Sequence, residues 1–282
     1  MARILVSNAD GTPAPAGDDR ITVLTYGGPR SGKTRFASSF PRPAFLSDAS
    51  EGGWTTMEHL DDSHFYEPNR PPEVYKINQA QDVMVTLKKL EPRIAAGEIC
   101  TLVFDSLTFY ADAFLNYLYK MAPIGKPIDT RELYGKLAKH LMEIRIQVHS
   151  LKCNVIWLCL VKETDETHPE AGPMITGQSA QKFPAGCDLI TYQRVFEEKD
   201  EQGPYSQYEI RTAPWGKYMA GGRFEGKLPD PLPDPPSYRT LAQHLGLSDP
   251  FERFKRAASV VRKPVGATVP ATTTQASAPT RR

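Results

Sequence analysis

The sequence contains no long apolar run and no secretory leader. None of its 282 residues belongs to a stretch of about eighteen consecutive apolar residues, the length that a membrane-spanning helix requires. Near the amino terminus an apolar run ends at Val6, and Asn8 and Asp10 follow, so this run is too short for a signal peptide. These absences predict a cytoplasmic protein with no membrane partner.

Cysteine, histidine and net charge are also low. The four cysteines, Cys100, Cys153, Cys159 and Cys187, and the six histidines follow no metal-binding spacing. We therefore expect reduced thiols, as in cytosolic proteins, rather than disulfides or a zinc site. A formal net charge of +1 means that any nucleic-acid surface would be a local patch. The apolar fraction of 40% and the charged fraction of 24% are typical of a globular protein with a sizeable core.

The strongest motif is a glycine-rich segment between a predicted strand, residues 21–25, and a predicted helix, residues 34–40. It fits G-x-x-x-x-G-K-[ST] and consists of Gly27, Gly28, Pro29, Arg30, Ser31, Gly32, Lys33 and Thr34. Glycines let consecutive backbone N–H groups point at phosphate oxygens. Lys33 would place a positive charge at the β- and γ-phosphates, and Thr34 a hydroxyl ligand on Mg²⁺. The segment predicts a nucleoside triphosphate site with ATP and Mg²⁺; the alternative is a glycine-rich hairpin turn.

An acidic residue ends a later apolar strand. Asp105 follows the strand predicted over residues 100–104. In a P-loop protein such a carboxylate reaches the Mg²⁺ shell beside the loop threonine, usually through water. Thr34 and Asp105 are therefore the predicted metal residues.

Two more acidic residues follow the strand predicted over residues 43–47. Asp48 and Glu51 lie where open α/β sheets bind ligands, at the carboxyl end of a strand. Either could orient or deprotonate the attacking water, and the alternative is a solvated turn. The predicted catalytic residues are Lys33, Glu51 and Asp105.

Alternating strand and helix patterns predict an α/β fold with a mainly parallel sheet flanked by helices. Helices are expected over residues 79–96 (with a break risked at Pro92), 109–121, 130–151 and 238–245. A strand is expected over residues 187–192. From Arg194 onward the pattern changes and predicts a hairpin of residues 195–198 and 208–212, an antiparallel C-terminal extension of the sheet.

Composition divides the chain into three parts. Residues 1–19 are expected to hold a short strand and a linker, residues 20–247 an ATPase domain, and residues 248–282 a basic, disordered tail. The N-terminal strand is either a frayed terminus, an extra edge strand of the same sheet, or a detached strand that pairs with a neighbouring subunit.

These landmarks in this order resemble the ATPase core of the RecA family. The glycine loop, the strand ending at Asp105 with Ser106, the strand over residues 155–161 and the segment 177–183 carry the resemblance. More closely, residues 20–247 resemble the RecA-like ATPases of bacteriophages, the Sak-type single-strand annealing and recombination proteins. The resemblance implies a RecA-like P-loop NTPase core and a DNA-stimulated ATPase. It also implies action on single-stranded DNA in recombination, annealing or repair, assembly into a ring or filament, and a place in the host cytoplasm if a phage encodes the chain.

The resemblance further implies that two loops, about residues 121–131 and 162–182, face DNA. The possible DNA contacts in them are Lys126, Arg131, Lys162 and Lys182. RecA-like proteins sense the γ-phosphate with a glutamine at the end of the strand over residues 155–161, and here Leu160 stands near that place. Lys217 and Arg223 are possible trans-acting cations at a neighbour's nucleotide, or else structural or solvated cations.

Three alternative functions stay open on the same scaffold. The first is a nucleotide-gated binding or assembly module with little hydrolysis. The second is a small-molecule or nucleotide kinase, which the lack of an arginine-rich lid segment after Asp105 disfavours. The third is a replicative helicase-like motor, which would need an arm for hexamer formation beyond residues 3–7.

Overall fold

The computed structural model describes residues 20–123, 129–164, 169–176, 179–200, 203–224 and 226–251. The predicted N-terminal strand, Lys126 and nearly all of the predicted tail lie outside the described residues. The domain limits at residues 19 and 247 therefore stay predictions. No helix within the described ranges is long and apolar enough to cross a membrane.

Strands and helices alternate along the chain, as the sequence pattern predicts. The strands are β1 (Thr22–Gly27), β2 (Pro43–Asp48), β3 (Glu73–Ile77), β4 (Thr101–Asp105), β5 (Asn154–Lys162), β6 (Gly172–Pro173), β7 (Leu189–Asp200), β8 (Gly203–Arg211) and β9 (Gly221–Gly222). The helices are α1 (Lys33–Ser38), α2 (Ala80–Ala95), α3 (Leu107–Lys120), α4 (Thr130–Ser150), α5 (Ser179–Lys182) and α6 (Tyr238–Leu245). Short 3-10 helices lie at Gly53–His59, Asp62–His64 and Pro184–Gly186.

The strands form one mixed sheet in the order β3-β2-β4-β5-β1-β7-β8. All neighbours from β3 to β7 are parallel, whereas β8 pairs with β7 antiparallel. The predicted α/β class, the mainly parallel sheet and its antiparallel extension are confirmed. Because parallel strands end at one edge, the segments after β1, β2 and β4 meet there.

Both faces of the sheet are covered, which explains the near-continuous apolar runs of its central strands. On one face α2 buries Val83, Leu87, Leu90 and Ile94, which recur at helical spacing. On the other face α1 and α6 pack with Phe36 and Tyr238 in a second core. Each fully buried side chain of this size stabilises the fold by about 1.5–3 kcal/mol. This packing on both faces fixes the carboxyl edge of the sheet, where the site lies.

Pro92 does not break its helix. The sequence predicts a possible break there, yet α2 continues to Ala95 with Pro92 inside it. The hydrogen bond that proline cannot make would go to the carbonyl of Lys88, an exposed residue whose carbonyl water can satisfy. The helix therefore tolerates the proline in its last turns.

The sequence predicts a strand over residues 187–192 and a separate hairpin after Arg194, and β7 shows that this division is wrong. It is one continuous strand, and β8 already pairs with it at Tyr192, opposite Arg211. The change of pattern after Arg194 has another cause. β1 ends at Gly27, which pairs with Gln193, so β7 runs beyond its parallel neighbour with β8 alongside.

Candidate nucleotide site

A cleft of about 620 Å³ opens at the edge where β1, β2 and β4 end. It is lined by most of the predicted phosphate loop together with Glu51 and Asp105. The loop residues in its wall are Pro29, Arg30, Ser31, Gly32, Lys33 and Thr34. Gly27 and Gly28 immediately precede them, at the end of β1. The structure therefore brings the predicted loop, metal residues and base into one place.

The backbone of the loop accounts for two of its glycines. A Cβ on Gly27 would lie 2.1 Å from the carbonyl oxygen of Gln193, so no side chain fits there. Gly32 has a φ of +89°, a conformation that favours glycine, and a Cβ on it would lie 2.4 Å from the Tyr208 ring. β7 and β8 thus support the loop closely from behind, and its other side faces the cleft.

The ammonium group of Lys33 is partly buried beside uncharged oxygens. Its Nζ donates to the carbonyl oxygens of Gly28 at 2.7 Å and Gly27 at 3.1 Å, and to Oγ of Ser31 at 3.4 Å. Burial lowers the pKa of Lys33, and the negative charge of Asp105 opposes that shift. A partly buried cation with uncharged hydrogen-bond partners suits an anionic ligand such as a nucleotide phosphate.

Thr34 and Asp105 meet although β5 lies between β1, which precedes the phosphate loop, and β4, which ends at Asp105. The first turn of α1 places Oγ1 of Thr34 so that it donates to Oδ2 of Asp105 at 2.9 Å. Burial raises the pKa of Asp105, while the Thr34 hydrogen bond and the charge of Lys33 oppose the rise. Hydroxyl and carboxylate oxygens are ligands that Mg²⁺ accepts, so the pair fits this ion. Among the described residues no group of three or more His, Cys, Asp or Glu side chains could hold a metal, so Mg²⁺ would need phosphate oxygens and water as well.

Glu51, in the turn after β2, contacts the residue that follows Asp105. Its Oε2 accepts a hydrogen bond of 2.7 Å from the backbone N–H of Ser106. Burial, and then the negative charge of Asp105, raise the pKa of Glu51 to about 7. Gly53 gives this segment room, because a Cβ on it would lie 3.2 Å from Oδ2 of Asp105. A carboxyl with this pKa can accept a proton near neutral pH.

Asp48 occupies a different position. Its Oδ1 accepts a hydrogen bond of 2.8 Å from the backbone N–H of Ser50, as in an Asp-containing turn. It lines a separate, smaller cavity between β2 and the start of α2. Of the two acidic residues that the sequence leaves open as the base, the geometry therefore favours Glu51.

A family model described as an AAA domain matches residues 19–224, more than half of the chain. The chain belongs to this AAA-domain family. It is therefore a nucleotide-binding protein of the P-loop ATPase type, which typically uses Mg²⁺. No curated protein matches the sequence. The predicted P-loop ATPase class is confirmed, whereas the closer resemblance to Sak-type recombination proteins stays a prediction.

In this AAA domain Leu160 lines the cleft at the end of β5, where the resemblance places a glutamine. Thr108, in the first turn of α3, accepts a hydrogen bond of 3.0 Å from the Leu160 N–H through its Oγ1. The same hydroxyl donates to the carbonyl oxygen of Met174 at 3.0 Å, and the Met174 N–H donates to the Leu160 carbonyl at 2.7 Å. Thr108 thus joins the Asp105 side of the cleft to the segment that follows β5.

The two predicted trans-acting cations lie outside the cleft of their own chain. Nζ of Lys217 forms an ion pair of 2.7 Å with Oε2 of Glu163, just after β5. Nη1 of Arg223 lies 3.2 Å from Oδ1 of Asp188, and the side chain is 63% exposed. The structure therefore gives each cation a partner within the chain, and a role in a neighbour's site stays a prediction.

The predicted DNA contacts are spread over three elements. Arg131 is exposed in the first turn of α4, Lys162 ends β5, and Lys182 ends α5. Lys126 lies outside the described residues. None of the three described side chains lines the cleft. Their role in binding DNA stays a prediction.

Three residues at the site were not among the predicted site residues: Thr108, Gln193 and Tyr208. Gln193 is buried on β7, and its Oε1 accepts a hydrogen bond of 3.4 Å from Oγ1 of Thr25. In the sequence, a glutamine within an apolar strand could have indicated that Gln193 has a special role. Tyr208 on β8 lines the cleft beside Gly32, and only the register of β8 brings it there.

Proposed function

We propose that this AAA domain is a Mg²⁺-dependent ATPase that acts on single-stranded DNA in phage-type recombination, annealing or repair. One observation supports ATP hydrolysis, the first part of this proposal. Lys33, Thr34, Asp105 and Glu51 come from three separate segments and converge on one cleft. Each supplies a function that phosphoryl transfer to water requires: charge at the phosphates, metal ligands and a proton acceptor.

Each of these residues has a distinct role in the proposed reaction. The loop and Lys33 bind and orient the phosphates, and Thr34 and Asp105 would hold Mg²⁺. Bound Mg²⁺ would neutralise negative charge on the β- and γ-phosphate oxygens. Glu51 orients a water in line with the γ-phosphorus and takes its proton, a role suited to a pKa near 7.

An aromatic cluster beside the segment after β5 supports the DNA part of the proposal. The rings of Tyr192 and Tyr218 stack with centroids 3.9 Å apart, and Trp215 lies nearly parallel to Tyr218 at 5.7 Å. The Arg194 guanidinium lies 4.3 Å from the Trp215 ring. Aromatic rings with neighbouring cations are the groups on which single-stranded bases stack. Trp215 and Tyr218 are partly exposed and therefore accessible.

The cations of this cluster already have partners. Arg194 binds Glu209 at 2.7 Å, and Lys217 binds Glu163 at 2.7 Å. Contacts to DNA phosphates would have to compete with these ion pairs. We therefore expect binding that depends mainly on stacking and has a shallow dependence on salt.

Self-association into a ring or filament belongs to the same proposal. Lys217 and Arg223 would then reach a neighbour's nucleotide, as arginine fingers do. Hydrolysis by an isolated chain would then be slow, because the cations that complete its site come from a neighbouring subunit. Mass measurement in solution with and without ATP tests the assembly.

Leu160 favours a second candidate, a nucleotide-gated assembly module with little hydrolysis. A leucine at the end of β5 cannot hydrogen-bond a γ-phosphate as a glutamine does. Nucleotide binding would then regulate assembly without rapid turnover. Measured turnover separates the two candidates.

The deciding experiment measures phosphate release against single-stranded oligonucleotide concentration at about 50 and about 200 mM salt. We expect stimulation at both concentrations, and reduced stimulation in Trp215→Ala. Tyr205→Ala, which removes an exposed ring near the turn of the β7–β8 hairpin, is the matched control. Absence of stimulation, together with absence of a gel shift at low salt, would contradict the DNA-dependent ATPase. Turnover near zero in every condition would favour the assembly module.

A further inference from the structure

The cleft extends from β4 to β8. Asp105 ends β4, and Tyr208 lies on β8, four strands away in the order β4-β5-β1-β7-β8. The Tyr208 ring lies against Gly32, whereas Asp105 contacts Thr34, so the phosphate loop lies between the two ends of the cleft. Thr34, Asp105 and Glu51 mark the β4 end as the place of the γ-phosphate. A nucleotide with its γ-phosphate at that end can extend its ribose and base toward β8, where Tyr208 lines the cleft.

The β8 end of the cleft carries an aromatic ring and a cation. Tyr208 and Arg35 both line it, and the Arg35 guanidinium lies 5.4 Å from the centroid of the Tyr208 ring. Tyr208 is partly buried, and its ring lies against the backbone of Gly32 in the phosphate loop. Within the described ranges the Arg35 side chain makes no ion pair, so its charge is available to a ligand.

We propose that Tyr208 and Arg35 form the nucleobase subsite of this cleft. The base packs against the Tyr208 ring, and Arg35 contacts the adjoining ribose-phosphate oxygens. This inference rests on the proposed nucleotide binding, but not on DNA binding or hydrolysis. A ring and a guanidinium bind a base by stacking and charge rather than by a pattern of donors and acceptors. The subsite therefore favours purines over pyrimidines and contributes little to the choice between adenine and guanine.

A purely structural role for Tyr208 is the competing explanation, because the ring also supports Gly32. Ligands with and without a base separate the two. Inorganic tripolyphosphate carries the phosphates alone, so a lost stacking contact leaves its affinity unchanged. A collapsed phosphate loop weakens ATP and tripolyphosphate alike.

The test is calorimetric titration of the full chain with ATP, CTP and tripolyphosphate, each with Mg²⁺ and without DNA. Tyr208→Leu keeps apolar contact with Gly32 but removes the ring. We expect it to weaken ATP binding about 5- to 100-fold and CTP binding less, with tripolyphosphate unchanged. Tyr208→Phe should bind all three like the wild type.

Tyr205→Leu is the matched control, since Tyr205 lies on the same strand and bonds Glu198 at 2.7 Å outside the cleft. Equal weakening of ATP and tripolyphosphate in Tyr208→Leu would overturn the proposal in favour of loop support. Unchanged ATP binding would place the base elsewhere. Failure of the proposed nucleotide site is distinguishable, because the wild type would then bind neither ATP nor tripolyphosphate.

Discussion

The backbone N–H of Ser106 donates a hydrogen bond of 2.7 Å to Oε2 of Glu51. This bond joins the turn after β2 to the residue that follows Asp105 on β4. It holds the proposed base beside the proposed metal acid although 55 positions separate Glu51 from Ser106. The proximity of Asp105, added to burial, is also what raises the pKa of Glu51 to about 7.

Glu51→Gln should keep ATP binding and lose hydrolysis. Glutamine is close in shape and can still accept the Ser106 hydrogen bond through its amide oxygen, but it cannot take a proton from water. We expect turnover to fall by about 10²- to 10⁴-fold, the range for loss of a general base. Phosphate release and calorimetric ATP affinity measure the two effects separately.

Asp48→Asn is the control for that substitution. Asp48 contacts Ser50 and lines the neighbouring cavity, so turnover should change little. The opposite result, with Asp48→Asn inactive and Glu51→Gln active, would assign the base to Asp48.

The ligand-free protein should lose stability as pH rises, and Glu51 should account for part of this loss. The pKa of Glu51 rises on folding from the ordinary carboxyl value of 4.5 to about 7, so the folded state binds this proton more tightly than the unfolded state. The free energy of unfolding should therefore decrease between about pH 4.5 and pH 7. Glu51→Gln removes that contribution. The difference in the free energy of unfolding, variant minus wild type, should therefore be more positive at pH 8 than at pH 5. Urea unfolding without Mg²⁺ measures this free energy for both proteins. Parallel pH profiles would show that Glu51 does not contribute to the pH dependence.

Lys33→Ala should abolish ATP and tripolyphosphate binding while the fold stays intact. The lysine contributes the charge at the phosphates, and burial of its ammonium carries an energetic cost when no nucleotide is added. We expect an unchanged circular dichroism spectrum and a melting temperature equal to or above that of wild type. Retained tripolyphosphate binding would show that the phosphates lie elsewhere.

It was predictable that the phosphate loop and Asp105 lie together, because the patterns that place them are local. A glycine spacing and an acid at a strand end each imply a geometry within a few residues, and a parallel sheet brings strand ends to one edge. Glu51 was predictable as one of two acids after β2. The choice between it and Asp48 needed the Ser106 hydrogen bond, which depends on how two strand ends face each other.

Tyr208 and Thr108 were not predictable from local patterns. Tyr208 reaches Gly32 only because β7 continues past β1 and carries β8 with it. Thr108 bonds Met174, 66 positions away, and nothing in the sequence near either residue indicates this contact. The ion pairs of Lys217 and Arg223 likewise depend on the tertiary fold, so their charges in the sequence said little about their partners.

Thr108→Val should uncouple hydrolysis from DNA. The Thr108 hydroxyl bonds both the Leu160 N–H at the cleft and the Met174 carbonyl in the segment after β5. With no glutamine at Leu160, this bridge directly joins the Asp105 side of the cleft to that segment. Valine keeps the shape but loses both bonds, so the DNA-stimulated rate should fall toward the basal rate while ATP affinity is kept. Phosphate release with and without single-stranded oligonucleotide gives the stimulation factor.

Stability must be measured alongside, because losing buried hydrogen bonds costs about 1–3 kcal/mol in itself. Thr108→Ser keeps the hydroxyl and should keep the stimulation factor, even where the missing methyl group lowers the melting temperature. A bridge that only stabilises the fold would give a different pattern. Thr108→Val would then melt earlier, yet its stimulation factor at a temperature well below melting would equal that of wild type, which would contradict the coupling role of Thr108.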